Sequence, residues 1–343
     1  MKQEKFLDAL RGTTGQKVNL YVTGGGQNSA FTAGMLAAIA REGWTDKFNR
    51  YIGQSSGSFS LMFLLGGATR EGASGYWRAL PKAFNDRQLV NPWRLFNPLR
   101  PIMDLQYMVD EMFDSDPRIP WERVLLHEAN RSGRFLIQVL DARTGKNIFL
   151  SRFTTPRALR AAIKASSWIP LLAGMRPFCL DKNLLAEMRV TDLEGNKMQP
   201  DELHTYDGQL ANSFFGDTYR ARPEEMHMVL TNIARDERAQ LTNPFGPRLL
   251  KLERFLSWIL FWWCWRALRS YHKSMLNGGQ RKDFDALDAE TLDESTGILG
   301  VFPAEGIPIG RYVLDEKNMR QAVLSGFEGL YRALGLTAGK VPW

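Results

Sequence analysis

Two successive units of strand, glycine-rich turn and helix fill the stretch from Lys17 to Gly67, and they constrain the fold more than any other part of the sequence. "KVNLYVTGGG" is a short β-prone run that stops at Gly24, Gly25 and Gly26. In "SAFTAGMLAAIAREG", Phe31, Met35, Leu36 and Ile39 recur at helical spacing before Gly43 ends the run. "RYIGQSS" reads as a second strand, and "GSFSLMFLLGG" as a buried helix closed by Gly66 and Gly67. Strands alternating with helices over such short connections imply an α/β sheet with helical crossovers.

The rest of the chain is less regular. Residues 79 to 121 are rich in proline and aromatics, which predicts irregular structure with one helix near Met103 to Phe113. "GRFLIQVLDARTGKNIFLS" predicts two strands joined at Thr144-Gly145, and "PRALRAAIKASSWIPLL" a helix that ends before Pro170. A polar stretch, Asp181 to Leu203, leads into "TYDGQLANSFF"; "EMHMVLTNI" predicts another strand, and the last hundred or so residues a mostly helical portion.

Composition excludes several classes. The 343 residues include 44 basic and 37 acidic ones, a formal charge of +7, but the charges are interspersed and form no long basic block. Nucleic acid is therefore not an expected partner. Cys179 and Cys264 show no paired-cysteine metal spacing. The opening "MKQEKFLDALRGTTGQ" lacks the apolar core of a secretory signal, and no apolar run approaches the roughly 20 residues of a spanning helix. The expectation is a cytoplasmic protein, with peripheral contact at the inner face of the membrane.

Three places can carry chemistry. Gly53-Gln54-Ser55-Ser56-Gly57 lies between a strand and a helix, where a serine nucleophile can be held above the sheet; a tight packing turn is the alternative. Gly24-Gly25-Gly26 enters a helix, so its backbone N–H groups can hold an oxyanion. A nucleotide-binding reading fits less well, because the dinucleotide fingerprint is incomplete and no P-loop lysine follows. Asp207-Gly208 follows a polar segment and is either a turn or a general base. A Ser–His–Asp hydrolase would need one of His127, His204, His227 and His272; only His272 has the chain order, and Ser55 comes too early for that fold.

Taken in order, these motifs resemble the patatin-like phospholipase family, with "TAGML" and "KASSWIP" as further similar segments; the resemblance covers about residues 15 to 235. It implies a three-layer α/β/α fold with a mostly parallel central sheet, and a lipid acyl hydrolase acting through an acyl-enzyme. By the resemblance, Ser55 is the nucleophile, Asp207 the general base, and the N–H groups of Gly25, Gly26 and Gln27 the oxyanion hole. Gly24, Gly53, Gly57 and Gly208 support the motifs. No metal or organic cofactor is implied. Asn28 and Ser29 stand where family members usually carry a basic residue and a further glycine, and Gln209 replaces the second glycine of Asp-Gly-Gly. That altered loop favours the alternative, a catalytically silent protein that binds membrane or partners.

Residues 15–235 form the expected catalytic core and residues 245–343 a mostly helical portion packed on it. The latter includes "RFLSWILFWWCWRALRSYHK", residues 254–273. Its Trp258, Phe261, Trp262, Trp263 and Trp265, bracketed by basic residues, suit a membrane interface or an acyl chain; packing on the core is the competing reading.

Overall fold

The computed structural model describes residues 2–91, 93–94, 100–112, 118–170, 172–174, 176–210, 214–236, 279–307, 309, 314–339 and 341. The aromatic block, with Trp258, Phe261, Trp262, Trp263 and Trp265, lies outside the described residues, as does His272.

Helix α1 (Lys2–Arg11) precedes β1 (Val18–Val22), α2 (Ser29–Arg41), β2 (Phe48–Gln54), α3 (Ser56–Leu65) and α4 (Thr69–Asn85). Then come α5 (Trp121–Leu126), α6 (Glu128–Arg131), β3 (Phe135–Asp141), β4 (Asn147–Ser151), α7 (Pro156–Ser166), β5 (Phe178–Leu180), α8 (Lys182–Ala186), β6 (Arg189–Thr191) and β7 (Lys197–Met198). The chain continues through β8 (Leu203–Asp207), α9 (Gly216–Arg220), β9 (Met226–Leu230), α10 (Gly279–Leu292), β10 (Ile298–Val301) and α11 (Glu316–Ala333).

The sheet runs β10-β9-β1-β2-β3-β4-β6-β7, with β10 to β3 all parallel and the β3–β4, β4–β6 and β6–β7 pairs antiparallel. Alternation along each strand sorts its side chains between two faces. Leu20, Val22, Ile137, Val139, Met228 and Leu230 face the cluster that holds α1, α2, α3 and α7. Tyr21, Ile52, Phe149 and Val229 pack on the other face against Phe214, Phe215, Phe284 and Leu287. The result is the three-layer α/β/α arrangement expected from the sequence.

The sheet branches at β3. The first part of β3 pairs with β2, ending at Gln54 opposite Gln138; the next residue, Val139, pairs with Asp207 at the end of β8. Strand β2 runs parallel to β3 and β8 antiparallel to it, so their C-terminal tips meet along one flank of β3. Strand β5 then pairs with β8.

Three elements differ from the sequence reading. Helix α4 extends to Asn85, into the stretch read as irregular, and carries Gly72, Gly75 and Pro81. Its Gly72 lies directly on the Phe63 ring, so a residue that looks like a helix breaker permits close packing on α3. The Tyr107–Met112 segment is π-helical. The late part of the chain contributes a strand, β10, to the parallel edge of the sheet.

Helix α11 lies against α2 with backbones nearly touching. A β-carbon on Gly34 would come within 1.9 Å of the Val323 carbonyl oxygen, and one on Gly326 within 1.9 Å of that of Phe31. Replacing Gly326 by alanine is therefore expected to destabilise the fold by about 1–3 kcal/mol through forced separation of the helices. Gly75 has nothing within 4 Å of its missing β-carbon, and Gly75→Ala is expected to stabilise by about 0.5–1 kcal/mol. Denaturant titration of both variants beside the wild type reads the two signs.

Candidate active site

Ser55 sits between β2 and α3 with φ 51 and ψ −135, a conformation that a non-glycine residue adopts only under constraint. The constraint is local packing. A β-carbon on Gly57 would lie 2.3 Å from the Val22 carbonyl oxygen, so only glycine lets the first turn of α3 rest on the end of β1. Gly53, at the end of β2, is likewise backed against the Ser58 backbone. Ser55 is 6% exposed, and the Ser58 N–H donates to its carbonyl at 3.0 Å.

Ser166, at the end of α7, ties this turn to the sheet. The Ser55 N–H donates to Ser166 Oγ at 2.8 Å, and Ser166 Oγ donates to the Gln138 carbonyl at 2.6 Å. The Gln138 side chain reaches the other tip, where its Nε2 donates to the Gly208 carbonyl at 3.1 Å. Gly208 is packed so closely on Gln138 that a β-carbon would fall 2.4 Å from the Gln138 carbonyl oxygen. One residue of β3 thus holds both strand ends.

Asp207 is 3% exposed and its carboxylate accepts a hydrogen bond from the Ser55 hydroxyl. Asp207 Oδ1 also accepts from the Gln209 N–H at 2.8 Å, and the Asp207 N–H donates to the Trp168 carbonyl at 3.0 Å. Burial raises the carboxyl pKa to about 6, against the opposing pull of the Gln209 and Ser55 hydrogen bonds. An acid with that pKa is mostly ionised at neutral pH yet still basic enough to take a proton from a hydroxyl.

The glycine loop adjoins the same point. A β-carbon on Gly24 would lie 2.5 Å from Ser55 Cβ and 2.8 Å from Gln209 Oε1. Gly25 has φ 138, and the Asn232 side chain fills the space beside it. Asn232 is itself held by Thr23, whose hydroxyl lies 3.4 Å from Asn232 Oδ1. A 3₁₀ turn over Gly26–Asn28 leads into α2, and the Asn28 N–H closes it onto the Gly25 carbonyl. The N–H groups of Gly25, Gly26 and Gln27 precede that first closing bond, at the positive end of a helix axis. Ser29 is buried, with its hydroxyl 2.6 Å from that of Ser56, so its extra oxygen joins the starts of α2 and α3.

The structure brings Ser55, Asp207, Gly24 and Gln209 to one place, with Gly25, Gly26 and Gln27 in the adjoining loop. The three described histidines are engaged elsewhere: His127 with Asp46, His204 with Glu202, and buried His227 with Tyr21 and the Arg222 carbonyl. Ser166, Gln138 and Asn232 were not singled out from the sequence. "KASSWIP" contains Ser166, but nothing in that segment alone tells which serine meets the Ser55 backbone.

No curated protein gives a significant match to this chain. The family model described as patatin-like phospholipase matches residues 20–215, more than half of the sequence, from β1 through Ser55 to beyond Asp207. By that match the chain belongs to the patatin-like phospholipase family, a family of lipid acyl hydrolases.

Proposed function

We propose that this protein hydrolyses ester-linked acyl chains of phospholipids or related lipids through a Ser55–Asp207 dyad. The observation that carries the proposal is the convergence of the strained Ser55, the buried Asp207 carboxylate and the glycine loop on one point. Asp207 takes the hydroxyl proton as Ser55 Oγ attacks the ester carbonyl carbon. The N–H groups of Gly25, Gly26 and Gln27 stabilise the oxyanion of the tetrahedral intermediate. Collapse breaks the bond to the leaving alkoxide, which departs with the proton held by Asp207. Asp207 then deprotonates water, which attacks the acyl-enzyme; the fatty acid leaves and the proton returns to Ser55.

In this reading the core spans residues 15–235, and the aromatic, basic segment 254–273 supplies contact with a lipid surface from the cytoplasmic side. Among the described residues, no helix is long and apolar enough to cross a membrane. The altered loop that favoured a silent protein loses part of its weight, because the Ser29 hydroxyl has a hydrogen-bonded place.

A fluorophosphonate probe is expected to label the wild type and not Ser55→Ala, with acyl release from a phospholipid, lysophospholipid and glyceride panel lost in Ser55→Ala and Asp207→Asn. Equal labelling of wild type and Ser55→Ala would reject the nucleophile.

The acid limb of kcat/KM is expected near pH 6, falling about tenfold per pH unit below it as Asp207 takes up a proton. Stability moves the other way. The folded pKa lies above the unfolded value, so the folded state holds the extra proton between about pH 4 and 6, and stability falls as pH rises through that window. At pH 8, Asp207→Asn is expected to be more stable than the wild type by up to about 3 kcal/mol, the difference shrinking towards pH 4. Denaturant melts across pH check this.

Ser166→Ala removes the shared partner of the buried Ser55 N–H and Gln138 carbonyl. It is expected to cost about 1–3 kcal/mol of stability and to lower kcat with little change in KM. Steady-state kinetics on a soluble ester separate the two parameters.

A further inference from the structure

We propose that Cys179, His204 and Glu202 form a binding site for a zinc-class divalent cation that clips edge strand β5 to β8. Sequence spacing conceals this group, because Cys179 lies far from the other two along the chain. The antiparallel register of β5 and β8 sets Cys179 directly opposite His204. The two-residue period of a strand brings Glu202, just before β8, to the same side as His204. One ligand atom from each residue lies within 4.8 Å of the others, and His204 Nε2 is 3.2 Å from Glu202 Oε1.

Thiolate, imidazole and carboxylate with an open fourth position make a donor set that zinc accepts. Tetrahedral bonds of about 2.0–2.3 Å place ligand atoms roughly 3.3–3.7 Å apart. Side-chain adjustments of about an ångström or less would therefore close the group on an ion, with the backbone already fixed by strand pairing.

The local field suits a cation. The Glu202 and Asp181 carboxylates lie close enough to Cys179 to act on it electrostatically, with Arg143 as the opposing charge. The same negative potential draws in a dication, which then stabilises the thiolate. The step is a proton-for-metal exchange: the S–H bond breaks, an S–metal bond forms, and the proton goes to solvent. Arg143 pairs with Glu202, but their side chains are 53% and 47% exposed, so the cation displaces that pair at small cost. The site lies at the start of β8 and Asp207 at its end, so the cation's role is to hold β5 in place, independently of the proposed hydrolysis.

The test is titration of the reduced full-length protein with cobalt(II). A thiolate-to-cobalt charge-transfer band is expected at one equivalent, abolished in Cys179→Ser and retained in Cys264→Ser, whose position lies outside the described residues. His204→Ala and Glu202→Gln are each expected to weaken binding at least about tenfold. Zinc should displace cobalt and raise the thermal midpoint of the wild type but not of Cys179→Ser. Cys179 and Glu202 are exposed and His204 is at a partly open position, and circular dichroism verifies that each variant folds. Absence of the band, its persistence in Cys179→Ser, its loss in Cys264→Ser, unchanged affinity in His204→Ala, or an equal zinc effect on wild type and Cys179→Ser would each overturn the proposal.

Discussion

The meeting of two strand ends along one flank of β3 is the constraint on which the rest of the candidate site depends. Strand β2 reaches Gln138 from one direction and β8 reaches Val139 from the other, so the chain just beyond β2 and the last residue of β8 are neighbours. Neither could advance without displacing the other from its hydrogen bonds to β3. Ser55 and Asp207 face each other because backbone pairing leaves them no alternative. Gln138 adds its side chain to the Gly208 carbonyl and its own carbonyl to Ser166, so the junction is fixed from both sides.

That arrangement costs stability. Ser55 is held at positive φ, an expense of about 1–3 kcal/mol, and Asp207 is buried where its charge is disfavoured. The Ser55 and Gln209 hydrogen bonds offset only part of the burial, which is why the carboxyl pKa stays high. A more solvated aspartate would be a weaker base, whereas a wholly uncompensated one would stay protonated at neutral pH. The balance between burial and its hydrogen-bonding neighbours leaves the carboxyl pKa at about 6.

The sequence revealed the parts of the site made from contiguous residues. Gly24 to Gly26, Ser55 between Gly53 and Gly57, and Asp207-Gly208 are short motifs whose flanking strands and helices show their periodicity locally. Parts made by register stayed hidden. Strand β8, "LHTYD", is short and carries polar residues, and nothing in it says that it joins β3 where β2 stops. Ser166 and Gln138 acquire their roles only after α7 and β3 are folded beside Ser55. Helix α4 was obscured because Gly72 and Pro81 weaken its local signal while its packing on α3 and α11 supplies the stability. Strand β10 was hidden in a stretch too short to show alternation, and parallel pairing with β9 defines it.

The glycine loop depends on the far end of the chain as much as on its own residues. Helix α2 carries that loop at its N-terminus and is buried on nearly every side, between the sheet and α11. Gly34 and Gly326 bring α2 and α11 to backbone contact, and side chains of α11 such as Met319 and Val323 share a cluster with Phe31 at the start of α2. The position of the loop N–H groups relative to Ser55 is thus set by a helix more than two hundred and fifty residues later in the sequence. Close packing of this kind transmits displacement rather than absorbing it, because protein interiors have little free volume. A shift of α11 would move α2, and α2 cannot move without carrying Gly25, Gly26 and Gln27 with it. Helix α11 therefore belongs to the structural support of the loop, although no residue of it approaches Ser55 or Asp207 in sequence.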